Sequence, residues 1–211
     1  GLLQTNILGS AVFSAISGSS VATAAAIGTV SIPAMKRLKY NMRVAAGSLA
    51  AGGTLGILIP PSIAFIIYGM FTETSIVALL SASVVPGLLM TVMYMIYIAI
   101  AAWWRPEIAP KPTAAVVDDE EPSSALMDIM PFVVLIFLVL GSMYLGFATP
   151  TESAAIGCSG ALIIGVFWGN IDVKGVMFAL RTTVSISASI LFIVIAAYLL
   201  SYAVAITDIP N

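Results

Sequence analysis

Apolar residues run through this chain in blocks too long for the half-buried elements of a water-soluble globule. A helix needs roughly 20 predominantly apolar residues to cross a bilayer. Blocks of that length predict crossings at 44–71, 76–104, 129–147, 150–169 and 184–206. The polar residues inside these blocks are mostly Ser and Thr, and charged residues collect between them. The pattern therefore predicts an all-α integral membrane protein. Two stretches do not fit a plain series of spans, and both carry information.

The first is residues 1–33. From Ser17 to Ser31 the sequence reads SGSSVATAAAIGTVS, in which only Val21, Ile27 and Val30 are larger than Thr. Helices facing lipid use Leu, Ile and Phe, so a run this small and hydroxyl-rich must pack against protein. The tetrad Ser17-Gly18-Ser19-Ser20 favours a turn over helix continuation. One reading is a re-entrant hairpin: a first arm through Ile16, a tip at SGSS and a second arm through Ile32, with Pro33 and a basic run returning the chain to the side it came from. Irregular backbone at membrane depth is tolerated where protein buries it or water lines it. The other reading is a single helix whose Gly and Ser residues merely allow close packing. Topology favours the hairpin, which puts both of its ends on one side.

The second is Gly52-Gly53-Thr54-Leu55-Gly56-Ile57-Leu58-Ile59-Pro60-Pro61-Ser62, in the middle of the next crossing. Three glycines followed by two prolines are expected to interrupt the helix there. Each proline lacks an N–H and clashes with the carbonyl four residues earlier, which strips the Gly56 and Ile57 carbonyls of their helical donors. A freed carbonyl in hydrocarbon costs several kcal/mol unless something binds it. A desolvated cation is a suitable partner, and discontinuous helices that offer such carbonyls near the midplane characterise ion-coupled secondary transporters. The alternative is a kink satisfied by neighbouring hydroxyls.

A third motif, Gly146-Phe147-Ala148-Thr149-Pro150-Thr151-Glu152-Ser153, has a local explanation. Thr149 as N-cap, Pro150 at the first helical position and Glu152 two residues on make a capping box with a proline start. Glu152 is thus expected to be a cap rather than a proton carrier, and Glu73 in Thr72-Glu73-Thr74-Ser75 a surface-turn residue.

Charge fixes a topology. All eight basic residues fall in three stretches: Lys36, Arg37, Lys39 and Arg43; Arg105 and Lys111; Lys174 and Arg181. If the loop at 34–43 is cytoplasmic, the loops at 105–128 and 170–183 return to the same side, and every basic residue obeys the positive-inside rule. The opposite turns hold Glu73, Glu152 and Asp208 but no Lys or Arg. Trp103, Trp104 and Trp168 flank inner loops, and Tyr68, Tyr144 and Tyr202 sit near outer ends, as interfacial aromatic belts require. The loop at 105–128, with Pro106, Pro110, Pro112, Asp118, Asp119, Glu120, Glu121 and Pro122, reads as a solvated linker between two halves of a bundle.

Composition narrows the chemistry. Of the 211 residues 60% are hydrophobic and 9% charged, and mean hydropathy is +1.10, outside the range of soluble enzymes, nucleic-acid binders and disordered tails. The absence of histidine removes Ser-His and Cys-His nucleophile pairs and imidazole metal sites from this chain. Cys158, the single cysteine, reads as a small buried apolar residue. An intramembrane hydrolase using Ser19 or Ser20 would lack a base, so that class is rejected. Gly1 opens without Met inside an apolar segment and the chain stops just after an outer turn, so both ends are expected to continue into a longer protein.

The runs NILGSAVFSAISGSSVATAAAIGTVSIPAMKRLKYN, GGTLGILIPPSIAFIIYGMFTETSI and VPGLL resemble the large membrane subunit of tripartite ATP-independent periplasmic (TRAP) transporters. LGFATPTESAAIG and RTTVSISASILFIVIAAYLLSYAVAITDIP resemble the opening of that subunit's second half. The resemblance implies two inverted repeats, each with a re-entrant hairpin and a broken helix, working as an elevator in the bacterial inner membrane. It implies sodium-driven import of small organic acids, of the C4-dicarboxylate or sialic-acid type. The partners would be a periplasmic substrate-binding protein and a smaller membrane subunit; no nucleic acid is involved.

The resemblance further implies a sodium site between hairpin tip and broken helix, with Ser17 and Ser19 opposite Gly56, Ile59 and Pro61, the latter three through backbone oxygens. Ser20, Thr23, Gly53, Thr54 and Ser62 would shape the cavity or touch substrate. The implied organisation is a first-repeat hairpin at 1–33, the broken helix and following span at 34–104, the linker at 105–128 and the opening helices of an incomplete second repeat at 129–211. A complete subunit would be about twice this length, with a second hairpin and broken helix. A passive channel or a structural membrane subunit is the competing reading. A channel calls for a continuous polar stripe through several spans, whereas hydroxyls here concentrate in 17–31 and 52–62.

Overall fold

The computed structural model describes residues 1–110, 122–167, 169 and 171–207, with the backbone alone for 122–129. The expectations for Lys111, for the acidic run 118–121, for Trp168 and for Asp208 fall outside the described residues. The described chain is built from helices: α1 (Leu2–Ser17), α2 (Ser20–Arg37), α3 (Met42–Leu58), α4 (Ile63–Phe71), α5 (Ile76–Trp104), a 3-10 turn at Pro106–Ile108, α6 (Pro122–Tyr144), α7 (Pro150–Phe167) and α8 (Val173–Ile206). Four segments are long and apolar enough to cross a membrane: Met42–Phe71 (α3 with α4), Ile76–Trp104, Pro150–Phe167 and Val173–Ile206. This is the all-α membrane class that the apolar blocks predict.

Packing divides the chain into two units, Gly1–Gly160 and Ala161–Asn211. In the first, α3 is the hub, packed against α1, α2, α4 and α5. Its apolar core joins Leu3 and Ile7 of α1, Met35 of α2, Tyr40 of the turn, Ala45 and Leu55 of α3 and Ile98 of α5. Helices α6 and α7 form a second hairpin within this unit: the face of α7 that carries Ser153, Gly157 and Gly160 meets Ser142, Val139 and Leu135 of α6. The second unit holds the end of α7 and all of α8. Asp172 caps α8 by accepting from the Gly175 amide at 2.8 Å.

Four expectations are corrected. Pro33 does not end the second arm; it lies inside α2, which continues to Arg37. A proline that close to a C-terminus costs the helix only the bond to the Thr29 carbonyl, and Lys36 and Arg37 in the last turn favour continuation. The turn to α3 is therefore only 38–41, closed by Asn41, whose side chain accepts from the Arg43 and Val44 amides. The glycines at 52, 53 and 56 do not interrupt α3 either; the break falls at Ile59–Ser62, where the two prolines sit. A glycine weakens a helix without removing a hydrogen bond, whereas a proline removes one outright. The expected loop at 170–183 is mostly helix, because Asp172 supplies a cap and α8 starts at Val173. Finally, Cys158 is exposed, on a different face of α7 from Ser153 and Gly157.

Thr149 and Glu152 form the expected capping box. The Thr149 amide and hydroxyl both donate to Glu152 Oε2 at 2.8 Å, and the Glu152 amide donates to Thr149 Oγ1 at 3.3 Å. Glu73 occupies the turn between α4 and α5 with φ 52°, and Ser75 caps α5 by accepting from the Ala78 amide at 3.3 Å.

Candidate functional site where a hairpin tip meets a helix break

The tip is built by two residues. Gly18 ends α1 in the left-handed region at φ 59°, its amide donating to the Ser14 carbonyl at 3.0 Å. Ser19, extended at φ −134°, starts α2 as its N-cap by accepting from the Ala22 amide. Only glycine adopts the first conformation cheaply, and serine is among the preferred N-caps, so the dipeptide reverses the chain with little strain. Beneath it the hydroxyls are linked. Ser17 Oγ lies 2.8 Å from Thr23 Oγ1, Ser14 Oγ lies 3.5 Å from the same atom, and Ser17 Oγ donates to the Ser19 carbonyl at 3.4 Å.

The break supplies the other wall. The Ile59 amide still bonds to the Leu55 carbonyl at 2.8 Å, and α4 begins four residues later at Ile63. Between them Pro60 and Pro61 have no N–H to offer the Gly56 and Ile57 carbonyls. Ser62, the N-cap of α4, is fully buried, and its hydroxyl has no hydrogen-bond partner. From the far side, Gly87 of α5 supports the break: a Cβ there would lie 3.0 Å from Ile59 Cγ1 and 3.3 Å from the Leu58 carbonyl oxygen.

Tip and break touch. The Ile63 amide, the first of α4, donates to the Gly18 carbonyl at 3.4 Å. A Cβ on Gly18 would lie 2.6 Å from the Pro61 oxygen, and one on Gly56 would lie 2.7 Å from the Ser19 carbonyl. One turn earlier, a Cβ on Gly53 would meet the Ser20 oxygen at 3.0 Å and Ala24 Cβ at 2.9 Å. The glycines of α3 are thus a docking surface for the hairpin backbone. Their role is close approach, not helix interruption.

Of the ten residues singled out in the sequence, Ser19, Ser20, Gly53, Gly56 and Pro61 take part in these tip-to-helix contacts, and Ser62 lies between Pro61 and Ile63. Ser17 and Thr23 are joined within the hairpin, so the Ser17 hydroxyl is shared with a neighbour. Ile59 directs its side chain into the apolar core and against Gly87, leaving its backbone as the group at the break. Thr54 is tied to α5: its hydroxyl donates to the Ala51 carbonyl at 2.6 Å and lies 3.1 Å from the Tyr94 hydroxyl. With Ser20 and Gly53 it also lines a shallow open groove walled by Val21, Ala24, Ala25 and Ala50.

Sequence reading missed a buried polar face on α1. Asn6, Ser10 and Ser14 are all at most 2% exposed. Asn6 Nδ2 donates to Ser48 Oγ of α3 at 3.2 Å and reaches Met35 Sδ of α2 at 3.6 Å. Ser10 Oγ is buried without a hydrogen-bond partner, directly opposite Gly52, whose Cβ would lie 2.5 Å from it. The signal was present: spacing of four places these side chains on one helix face.

Among the described residues no group of three or more His, Cys, Asp and Glu is placed to hold a metal. The donors at the junction are neutral oxygens, backbone carbonyls and hydroxyls, which suit a hard, oxygen-seeking cation and not a thiolate- or imidazole-seeking metal.

Residues 1–211 match the family model described as the tripartite ATP-independent periplasmic transporter, DctM component. The C4-dicarboxylate TRAP transporter large permease protein DctM of Pseudomonas aeruginosa is 33% identical over 212 residues, covering 100% of this chain and 49% of that protein. The sialic acid TRAP transporter large permease protein SiaM of Vibrio cholerae is 31% identical, covering 99% of this chain and 48% of its own length. The 2,3-diketo-L-gulonate TRAP transporter large permease protein YiaN of Escherichia coli is 27% identical, covering 100% and 49%. The chain spans about half the length of these curated relatives.

Proposed function

This chain belongs to the DctM-component family of tripartite ATP-independent periplasmic transporters, and from that premise we propose that it forms the first-repeat hairpin and broken helix, with the opening helices of the second repeat, of a sodium-coupled permease importing small organic acids. The family is one of transporter components, not of enzymes. The observation that carries the reading is the contact between the hairpin tip at Gly18-Ser19 and the break at Ile59–Ser62. Two irregular segments, each costly in a membrane, are brought together, and an orphaned buried hydroxyl sits where they meet.

Sodium fits this donor set. Ser17 and Ser19 on the tip and the backbone oxygens of Gly56, Ile59 and Pro61 would hold it, and bound charge would offset the carbonyls that the prolines leave without helical donors. Ser20, Thr23, Gly53, Thr54 and Ser62 would shape the adjoining cavity. By holding the tip against the break, the ion would complete the substrate pocket, so that a loaded domain moves as an elevator and a half-loaded one does not. A ligand can bias that movement only through its differential affinity for the two states.

The substrate would be a small organic acid, of the class named for the C4-dicarboxylate and sialic acid relatives. It would be delivered by a periplasmic binding protein, with a smaller membrane subunit alongside. The protein would lie in the inner membrane with 34–43, the linker at 105–128 and the stretch 170–183 on the cytoplasmic side.

The test is uptake of a labelled organic acid by the full-length subunit and its partners in proteoliposomes, with and without an inward sodium gradient. Uptake that requires both sodium and the binding protein is the expected result. Uptake indifferent to sodium removes the ion site and leaves the break as a structural kink in a passive membrane subunit.

A further inference from the structure

The turn between α2 and α3 concentrates charge in a way that topology alone does not require. Lys36 and Arg37 close the last turn of α2, Lys39 stands in the turn with φ 56°, and Arg43 is the second residue of α3; all four are exposed. Among the described residues no carboxylate pairs with any of them. Lys36 and Arg37 lie at the negative end of a helix, where cations are favoured. Arg43 lies at the positive end of one, where a cation is opposed, and the first turn of α3 contains no acid. Asn41 satisfies the Arg43 and Val44 amides but brings no charge. Lys39, moreover, holds a left-handed conformation that a lysine does not favour.

The face of α2 that ends in Arg37 carries open apolar residues. Val30, two turns before Arg37, is 76% exposed, and Pro33 between them is exposed too. On the other side of the turn begins the span Met42–Phe71. A ligand matching this surface has an anionic head for the turn and an apolar tail for the flank. We infer that the α2–α3 turn, through Lys36, Arg37, Lys39 and Arg43, is a docking site for the headgroup of an anionic phospholipid. Arginine presents a planar donor fork to a phosphate and lysine a point charge, so the set offers both modes. The bound headgroup neutralises Arg43 at the helix start. It also ties the far ends of the two helices that carry Ser19 and Gly56 to the membrane surface.

The full-length membrane subunit is purified into detergent, and its retention of phosphatidylglycerol and phosphatidylcholine, offered in equal amounts, is compared by native mass spectrometry. Lys39→Gln with Arg43→Gln is the test pair; Lys36 and Arg37 remain to preserve topology. Lys174→Gln with Arg181→Gln removes equal charge elsewhere. Wild type and the second pair should prefer phosphatidylglycerol, and the first pair should lose about fivefold of that preference for each charge removed. Circular dichroism establishes that each variant is folded. Equal retention in wild type and the first pair overturns the inference, as does an equal loss in both pairs, which would reflect net charge alone. Displacement of the lipid by millimolar inorganic phosphate overturns it as well, since the site would then be a phosphate site without lipid character.

Discussion

The amide of Ile63 donates to the carbonyl of Gly18 across 3.4 Å, joining the first residue of α4 to the tip of a hairpin 45 positions earlier in the chain. The bond takes one of the free donors at a helix start and satisfies it with a carbonyl that a left-handed glycine has turned outward. Hairpin and broken helix therefore share backbone as well as side-chain contacts, and glycine on both sides is what lets them approach.

That dependence separates two glycines of α3. A Cβ at Gly56 would lie 2.7 Å from the Ser19 carbonyl, whereas one at Gly47 meets nothing within 4 Å. Gly56→Ala should destabilise the full-length subunit by about 1–3 kcal/mol through overpacking and reduce uptake at least tenfold. Gly47→Ala should stabilise it by about 0.5–1 kcal/mol through helix propensity and leave uptake intact. Thermal unfolding and initial rates of the two variants decide the matter; matching behaviour would sink the close-approach account.

The tip serines are expected to act on the ion as well as on the fold. Ser17→Ala with Ser19→Ala should raise the sodium concentration for half-maximal uptake about tenfold or more, and should also cost about 1–3 kcal/mol of stability through the lost Ser17–Thr23 bond and the lost cap of α2, with assembly on the small subunit retained. Normal transport at unchanged sodium dependence would show that the ligands are elsewhere. Thr23→Val, which removes the partner of both Ser17 and Ser14, should cost about 1 kcal/mol of stability and shift sodium dependence less than the double serine variant.

The buried face of α1 makes opposite predictions for two neighbours. Asn6 bonds Ser48, so Asn6→Ala should lose about 1–3 kcal/mol. Ser10 Oγ bonds nothing, so Ser10→Ala should be neutral or stabilising by up to about 1 kcal/mol. Melting temperatures of the purified subunit check both. A strongly destabilised Ser10→Ala protein would mean that the hydroxyl has a partner in the membrane.

Glu152 is a cap, and its substitution should behave as one. Thr149→Ala should cost about 1 kcal/mol, while Glu152→Gln, which keeps an acceptor for the Thr149 amide, should cost less and leave the pH profile of uptake unchanged. A profile displaced by Glu152→Gln would assign the carboxylate to proton movement instead.

Much of this arrangement is legible in the sequence, and the misses have definite causes. Apolar block length located α5 and α7, and SGSS and PPS located the tip and the break, because left-handed glycine, N-cap serine and proline act on their own backbone neighbours. The extents of α2 and α8 were not legible. Whether Pro33 or Lys174 ends a helix depends on what the flanking turns can cap, and a charged residue carries no helix-stop signal of its own. The glycines of α3 were read as interruptions because glycine lowers helix propensity everywhere. That Gly52 and Gly56 trade propensity for contact depends on what packs opposite them. The polar face of α1 was visible as a spacing but gave no hint of its partners, since Ser48 lies 42 residues away from Asn6.

That polar face also bears on how the protein enters the membrane. Asn6 and Ser10 point into a seam that α1 and α2 cannot close by themselves; Ser48 and the glycine track of α3 complete it, while Ser14 and Thr23 are partnered within the hairpin. Handed to lipid before α3, the hairpin would expose the Asn6 amide and the Ser10 hydroxyl to hydrocarbon, where nothing satisfies them. The hairpin is thus not an insertion unit in its own right. Its stable insertion calls for α3, whose Ser48 and glycines cover that face, and the smallest piece of this chain that buries the polar face of α1 is the three helices together.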